Sequence, residues 1–371
     1  MLVLDTSKND TSATLDLLRA GAAQMVCVGH AFTFFKWDWR PTSWPLPQNV
    51  GVLLFFVLSG FLITMTLVER SRDPAYGFGQ FCIDRFARIY SGLIPALLLV
   101  ALIDNLIFRY LGADPSYARD NDVWTFIANL AMLENYRGIL PPLRWPVFGS
   151  ASPLWTLAIE WHIYIFVAAL FFIWKRTAPW LILLPIALFF GQTPLRFLFG
   201  AVQDDGIGLG LFWLWLAGAA IYFLTSRIFE PNRFGFILAI GCAVIFTALT
   251  HTAAEYNFGS YAFLVAGLLG LMLATQTVHF FSPPVTRIIR FFADYSFTLY
   301  LVHYTVMYAL RRVWPESGTA GFFTGLLLAN AAAIALAYLG EKHHKKLARL
   351  LNETAAMIMA RARQRHASAE P

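Results

Sequence analysis

Arg19 and His30 are two ionisable residues within one apolar stretch, Leu15 to Phe35, and their spacing places them on the same side of a helix. Eleven residues at 100° each return to within about 20° of the starting direction and advance the helix by roughly 16 Å. An arginine and an imidazole in an apolar helix are costly unless they face protein or water, so the pair marks a candidate functional site. The alternatives are an Arg19 that snorkels to lipid headgroups and a His30 bonded to a neighbouring helix.

Arg85 and Arg88 form a second candidate, because residues three apart are neighbours on one helix face. Two guanidinium groups at that spacing can bind a phosphate group; the alternative is a positively charged anchor at the membrane surface. Ser59 lies in an apolar run with Gly51 and Gly60, and these small residues predict close helix packing. No base accompanies Ser59 in the local sequence, so we favour packing over a nucleophilic role.

Polar groups also recur in two later apolar segments. Glu160 and Tyr164 are four residues apart after Trp155, and a carboxylate about two turns into a spanning helix needs a partner or a proton. Tyr300 and His303 are three apart near the middle of another segment. The alternatives are a structural ion pair for Glu160, core packing for the Tyr300–His303 pair, and the usual interfacial position of tryptophan for Trp155.

Taken together, these residue types suit acyl transfer. Basic groups at one mouth can hold a donor that carries phosphate, an imidazole can act as general base, and a polar opposite mouth can admit an acceptor hydroxyl. Their spacing does not match a metal site, and the three cysteines are scattered, so no metal is expected.

The composition places these groups in a membrane protein. Of the 371 residues, 58% are hydrophobic and only 13% are charged, whereas soluble domains are about a quarter charged. The net charge of +6 fits lysines and arginines that flank membrane helices, and the absence of a basic patch interleaved with aromatic residues argues against nucleic-acid binding. The polar first dozen residues show no pattern of a cleavable signal peptide, so the first apolar helix is expected to remain as an anchor.

The pattern predicts an all-α integral membrane protein with about ten transmembrane helices in one bundle. A spanning helix needs about 20 mostly apolar residues. The candidate segments are 14–36, 49–68, 88–111, 153–174, 179–198, 207–225, 234–251, 258–280, 292–314 and 319–340. Most lysines and arginines fall on one side if both termini are cytoplasmic, which favours that orientation.

Three segments outside these spans are predicted to lie at the membrane surface. Residues 76–90 resemble an amphipathic helix that runs into the third span, and residues 123–133 are too short to cross the membrane. Residues 341–371 form a basic cytoplasmic tail expected to lie against anionic lipid, after a transmembrane domain over residues 1–340.

Five groups of residues resemble, in order along the chain, motifs of the acyltransferase-3 family, which are bacterial membrane O-acyltransferases of surface and secreted carbohydrates. The groups are Leu15 to Arg19 with His30; Leu54 to Ile63; Phe81, Arg85 and Arg88 to Tyr90; Trp155, Glu160 and Tyr164; and Tyr295, Tyr300 and His303. Each motif alone is weak, but five in register from about residue 14 to residue 340 form a strong resemblance.

This resemblance implies ten spanning helices, an acyl-CoA donor on the cytoplasmic side and a glycan acceptor. It departs from the family at Leu53, often an acidic residue, and at Ser91, commonly a proline. Members with a fused extracytoplasmic esterase-like domain carry a long extension, so a stand-alone form is expected. The expected roles are catalytic for His30 and Glu160, donor binding for Arg19, Arg85 and Arg88, and acceptor binding or support for Trp155, Tyr164, Tyr300 and His303.

The leading hypothesis is therefore an acyl-CoA-dependent membrane O-acyltransferase of the bacterial inner membrane, expected to use acetyl-CoA as a co-substrate with no bound cofactor. We expect Arg19 and His30 to line one cavity that admits the CoA thioester. The alternative is a transporter or flippase of a lipid-linked sugar, because buried Arg, Glu and His also mark transport paths. A non-catalytic lipid-binding scaffold leaves the intramembrane charges unexplained.

Overall fold

A computed structural model of the chain describes residues 9–39, 45–134, 136, 140–200, 209–250 and 257–367. Every regular element in that part is helical, as the hydropathy pattern predicts. The α-helices are α1 Thr11–Phe35, α2 Pro47–Arg70, α3 Phe78–Leu111, α4 Pro115–Ala118, α5 Val123–Leu130, α6 Leu154–Trp174, α7 Trp180–Arg196, α8 Leu211–Phe223, α9 Gly235–Leu249, α10 Phe258–Thr275, α11 Pro283–Asp294, α12 Ser296–Val313, α13 Gly318–Leu339 and α14 His344–Ala367.

Six stretches of the described chain are helical, long and apolar enough to cross a membrane. They are α2, α3, α6, α8 with its π-helical extension to Ile228, α10, and α13 with the start of α14. Helices α7 and α9 are apolar but shorter, and the helices that carry the two histidines, α1 and α12, fall outside this set. Each of the ten predicted segments contains one main helix, with the segment 292–314 also including the end of α11, while their number as spans stays a prediction.

The predicted surface helix runs into the third span as one continuous helix, α3, as expected. The structure differs from the prediction in the segment 292–314, which is divided at Tyr295 into the end of α11 and the whole of α12. Helix α11 was missed because two consecutive prolines precede a mixed, amphipathic sequence; proline is accepted at the first helical position, where no N–H is needed.

Helices α1 and α12 lie side by side and run in the same direction. Near the start of α1, the Arg19 guanidinium donates to the Ala293 carbonyl just before α12, at 3.2 Å. Eleven residues further along, His30 contacts His303 at 2.9 Å. The predicted Arg19–His30 stripe therefore faces a protein partner along its length, which accounts for polar groups in this helix.

Helix α2 packs between α1 and α8 at positions where only glycine fits. A Cβ atom on Gly51 would lie 2.6 Å from the Ala22 carbonyl oxygen of α1. A Cβ atom on Gly60 would lie 1.8 Å from the Trp215 carbonyl oxygen of α8, and one on Gly218 would lie 2.0 Å from the Val57 carbonyl oxygen. The close packing predicted for Gly51 and Gly60 is confirmed, since backbones approach this closely only over small residues.

A buried carboxylate fixes the connection that leads into α6. Asp104 of α3 is fully buried and accepts two hydrogen bonds from Ser150, from its N–H at 2.8 Å and from its hydroxyl at 2.7 Å. The neighbouring Gly149 has φ +49°, a left-handed conformation that favours glycine. These two hydrogen bonds fix the segment that leads into α6, and they thereby help to place the polar groups on α6.

We expect Gly60→Ala to destabilise the protein, because its methyl group would collide with the backbone of α8 rather than with a movable side chain. Overpacking of this kind costs about 1–3 kcal/mol. Tryptophan fluorescence during thermal unfolding in detergent measures the effect as a lower midpoint. Gly241→Ala on α9 is the matched control, since nothing lies within 4 Å of its Cβ position; equal midpoints for the two variants would contradict the proposed contact.

Candidate active site

A cavity of about 210 Å³ lies between α1, α2, α3, α6 and α12. Its walls combine apolar side chains with a ring of polar and charged residues from all five helices. The polar lining consists of Arg19, Ser59, Arg85, Arg88, Thr156, Glu160, Tyr164, Ser296 and Tyr300. All three predicted arginines, together with Glu160, Tyr164 and Tyr300, therefore border one space.

Two of the three arginines in the cavity wall are paired with carboxylates. Arg19 lies 3.2 Å from Asp16, one turn earlier on α1. Arg88 forms an ion pair with Glu341 at 2.9 Å.

Arg85 differs from both, because it forms no ion pair with any residue that the structure describes. Its guanidinium lies 5.9 Å from the Phe81 ring centroid, and its buried Nε has no hydrogen-bond partner there. A cation left without a carboxylate in an apolar bundle is costly, so Arg85 is the natural contact for an anionic ligand.

A chain of hydrogen bonds leads from α8 to Glu160. The Trp215 indole N–H donates to the Ser59 hydroxyl oxygen at 3.1 Å. The Tyr164 hydroxyl donates to Glu160 at 2.8 Å and also lies 2.8 Å from the Ser59 hydroxyl. Because a tyrosine has one proton to donate, Ser59 must be the donor to Tyr164, and every bond in the chain points toward the carboxylate. Glu160, which lines the cavity, therefore lies at the end of this chain, with Tyr164 bonded to one of its carboxyl oxygens.

Tyr300 closes the other end of the cavity and connects α12 to α6. Its hydroxyl donates to the Pro153 carbonyl at 3.1 Å and makes a short hydrogen bond with the Thr156 hydroxyl. Its ring meets the Phe55 ring edge-on, with centroids 5.4 Å apart. The same ring lies 6.1 Å from the His303 ring, so Tyr300 separates the cavity from the histidines.

The partners of the two histidines determine their tautomers. His303 is fully buried, and its Nδ1 lies 3.0 Å from the Leu299 carbonyl oxygen, which can only accept. In the neutral ring Nδ1 therefore carries the proton and Nε2 accepts. His30 Nδ1 lies 2.9 Å from that Nε2 and must donate to it. The lone pair of His30 then resides on its Nε2, which is the atom able to take a proton.

The expectation that Arg19 and His30 line one cavity is met for Arg19 only. The lining includes Tyr300 but neither histidine. His30 is partly exposed and packs edge-on against Tyr304, with ring centroids 5.1 Å apart. The helical stripe is as predicted, yet only its Arg19 end borders the cavity, and Tyr300 lies between the cavity and the His303 ring.

Trp155 is half-buried among apolar side chains and is absent from the cavity wall. Two residues that the sequence analysis did not place in the site, Ser59 and Trp215, belong to its hydrogen-bond chain. The sequence feature that could have indicated a role for Ser59 is its position in the run of small residues. No such feature marks Trp215, because its segment is uniformly apolar. Within the described residues, no group of three or more His, Cys, Asp or Glu could hold a metal ion.

Comparison with known proteins covers most of the chain. A family model described as an acyltransferase domain matches residues 12–341. The chain is 25% identical over 305 residues to the peptidoglycan O-acetyltransferase OatA of Listeria monocytogenes, which covers 71% of this chain and 46% of that protein. It is 27% identical over 357 residues to nodulation protein 10 of Rhizobium leguminosarum, covering 87% of this chain and 89% of the relative. No solved structure matches.

A third relative, the putative peptidoglycan O-acetyltransferase YrhL of Bacillus subtilis, is 32% identical over 165 residues. That match covers 41% of this chain and 22% of the relative. The chain thus spans less than half the length of the two peptidoglycan O-acetyltransferases that it matches.

We expect Tyr164→Phe to destabilise the protein, because it removes the hydroxyl that joins Ser59 to Glu160 and leaves the carboxylate without this donor. Leaving a buried polar group unsatisfied costs about 1–3 kcal/mol. The thermal midpoint in detergent should fall relative to wild type, whereas Tyr338→Phe, at a side chain 56% exposed on α13, should not change it. If Tyr164→Phe unfolds at the wild-type midpoint, the hydrogen-bond chain contributes nothing measurable.

Proposed function

We propose that this chain, which belongs to the acyltransferase-3 family, is a multi-pass membrane O-acetyltransferase. The proposed reaction moves an acetyl group from acetyl-CoA to a hydroxyl group of a cell-surface or secreted carbohydrate. The observation that carries the proposal is the cavity that brings three arginines together with Glu160, one aromatic ring away from a histidine pair with a free lone pair.

The arginine end of the cavity is the proposed donor site. Acetyl-CoA carries its phosphates at one end and its thioester at the end of a long, flexible arm. Arg85, which has no ion-pair partner among the described residues, would bind phosphate directly, with Arg19 and Arg88 beside it. We place this end at the cytoplasmic face of a bacterial inner membrane, because acyl-CoA is made in the cytoplasm. The phosphates then stay at the membrane surface while the arm follows the cavity toward Tyr300.

His30 is the proposed general base. Its Nε2 would remove the proton of the acceptor hydroxyl as the hydroxyl oxygen bonds to the thioester carbonyl carbon. The carbon–sulfur bond then breaks, and the departing CoA thiolate takes up the proton that His30 removed, so that an O-acetyl ester, free CoA and a neutral His30 result. His303 orients the base by accepting from its Nδ1. Glu160, which lines the cavity, would orient the acceptor hydroxyl where it meets the thioester beside Tyr300.

We propose a class of acceptor, carbohydrates with a free hydroxyl group, and not one particular sugar. Two of the relatives are called O-acetyltransferases of peptidoglycan, and nodulation protein 10 matches along nearly its whole length. The names of the two O-acetyltransferases and the chemistry of the site both favour a hydroxyl group of a carbohydrate as the acceptor. Trp155 and the residues around the histidine pair would form the acceptor approach, on the side of Tyr300 away from the arginines.

His30→Ala is expected to lower acetyl transfer by about 10²–10⁴-fold, the contribution typical of a general base. Purified protein with acetyl-CoA and a carbohydrate acceptor is assayed by release of free CoA thiol and by the mass of the product. His343→Ala, at an exposed position after α13, is the matched control and should keep wild-type activity. In cells, the His30→Ala strain should lack the acetyl mass increment on its surface glycans, as a deletion strain does. Wild-type transfer by His30→Ala would show that another group is the base, and sugar movement without transfer would favour a flippase.

Arg85→Ala is expected to raise the KM for acetyl-CoA about tenfold or more and to leave kcat little changed, because a phosphate contact is lost while the base remains. Hydrogen bonds to charged groups contribute about 1.5–3 kcal/mol, and 1.4 kcal/mol is a factor of ten. Initial rates across a range of acetyl-CoA concentrations separate the two constants. Arg233→Ala, at an exposed arginine before α9, should change neither. An unchanged KM in Arg85→Ala would remove this residue from the donor site.

A further inference from the structure

The connection between α13 and α14 is built tightly against α3, beside the arginines of the cavity. A Cβ atom on Gly340 would lie 1.9 Å from the Ser91 carbonyl oxygen, so the chain backbone rests directly on α3. The next residue, Glu341, begins a short 3-10 turn that ends at His343. Although Glu341 opens a segment predicted as a basic cytoplasmic tail against anionic lipid, only 1% of its surface is exposed.

The Glu341 carboxylate is held by two donors of one residue. Its Oε2 accepts from the Thr298 N–H at 3.1 Å and from the Thr298 hydroxyl at 2.6 Å. Its other oxygen, Oε1, lies 2.9 Å from Arg88 Nη2. A buried carboxylate fixed by a backbone N–H has little freedom, so it defines a fixed point for the guanidinium that pairs with it.

Glu341 contacts Arg88 from outside the cavity lining. Arg88 lines the cavity and keeps 25% of its side chain exposed, whereas Glu341 does not belong to the lining. The Phe297 ring centroid lies 5.8 Å from the Arg88 guanidinium and supports it from a second side. The carboxylate thus leaves the cavity-facing donors of Arg88 available to a ligand.

We propose that Glu341 is a positioning residue of the donor site, which holds Arg88 in the orientation that receives a phosphate group of the acyl donor. This inference rests on the proposed function. It makes the turn between α13 and α14 part of the donor site. Two guanidinium groups one helical turn apart repel each other, and the carboxylate offsets that repulsion for Arg88, whereas Arg85 forms no ion pair within the described part of the chain.

A purely electrostatic effect of Glu341 and a positioning role for it predict opposite changes in the KM for acetyl-CoA of Glu341→Gln. The inference can therefore be tested. Removing one negative charge makes the cavity more positive, so attraction alone would lower the KM for an anionic donor. Losing the ion pair frees Arg88 to turn away, so a positioning role raises that KM. We expect an increase of about five- to tenfold in the KM for acetyl-CoA, with kcat within about twofold of wild type.

Purified full-length variants are compared at a range of acetyl-CoA concentrations. Glu353→Gln, at an exposed glutamate on α14, removes the same charge and should leave both constants unchanged. Arg88→Gln should raise the KM, and adding Glu341→Gln to it should cause no further increase, because the carboxylate acts through Arg88. Thr298→Val, which removes only one donor to the carboxylate, should give a smaller increase and tests the inference if Glu341→Gln does not fold.

An equal or lower KM in Glu341→Gln would overturn the positioning role, and so would full additivity with Arg88→Gln. If Glu341→Gln does not fold, a wild-type KM in Thr298→Val would overturn it instead. These outcomes differ from failure of the proposed function, in which the wild-type protein releases no CoA from acetyl-CoA with any carbohydrate acceptor. In that case the donor site itself, and the role of Glu341 within it, would be wrong.

Discussion

A charged group inside an apolar helical bundle must have a partner, and the structure of this protein is arranged around that constraint. In hydrocarbon an isolated guanidinium is costly, so each arginine needs a carboxylate, a carbonyl or a ligand. Arg19 has Asp16 and the Ala293 carbonyl, and Arg88 has Glu341. Arg85 has no carboxylate among the described residues, which makes the cavity attractive to anions while most of its charge is already balanced.

Close helix packing makes those partnerships possible. Without a hydrophobic force between helices in lipid, small residues determine how near two backbones come. Gly60 brings α2 against α8, and that contact places the Trp215 indole within reach of Ser59. The hydrogen bonds between Asp104 and Ser150 likewise fix the segment that leads into α6, on which Glu160 and Tyr164 project into the same space. The polar site is thus assembled by apolar and small-residue contacts at its edges.

The sequence predicts most of the long helices because each coincides with a long apolar run, and it predicts the Arg19–His30 stripe because helical geometry is periodic. Contacts between segments that are far apart in the sequence cannot be predicted from such local patterns. Ser59 and Tyr164 are 105 residues apart, and no local pattern announces their hydrogen bond. The contact between Phe55 and Tyr300 in the cavity wall depends on how α2 meets α12. Glu341 was predicted as part of the basic tail, because burial by a neighbouring helix leaves no pattern in a polar sequence.

The hydrogen bond between His30 and His303 limits the number of protons that the two rings can carry. Two imidazolium rings in direct contact would repel each other strongly, so the pair can hold a single extra proton. In the proposed reaction, a proton taken up at His30 would have to leave before the next one arrives. The Leu299 carbonyl accepts from His303 Nδ1 and cannot itself take up a proton, so it closes an exit through that nitrogen. Each turnover would therefore release the proton through His30 Nε2, the same nitrogen that received it.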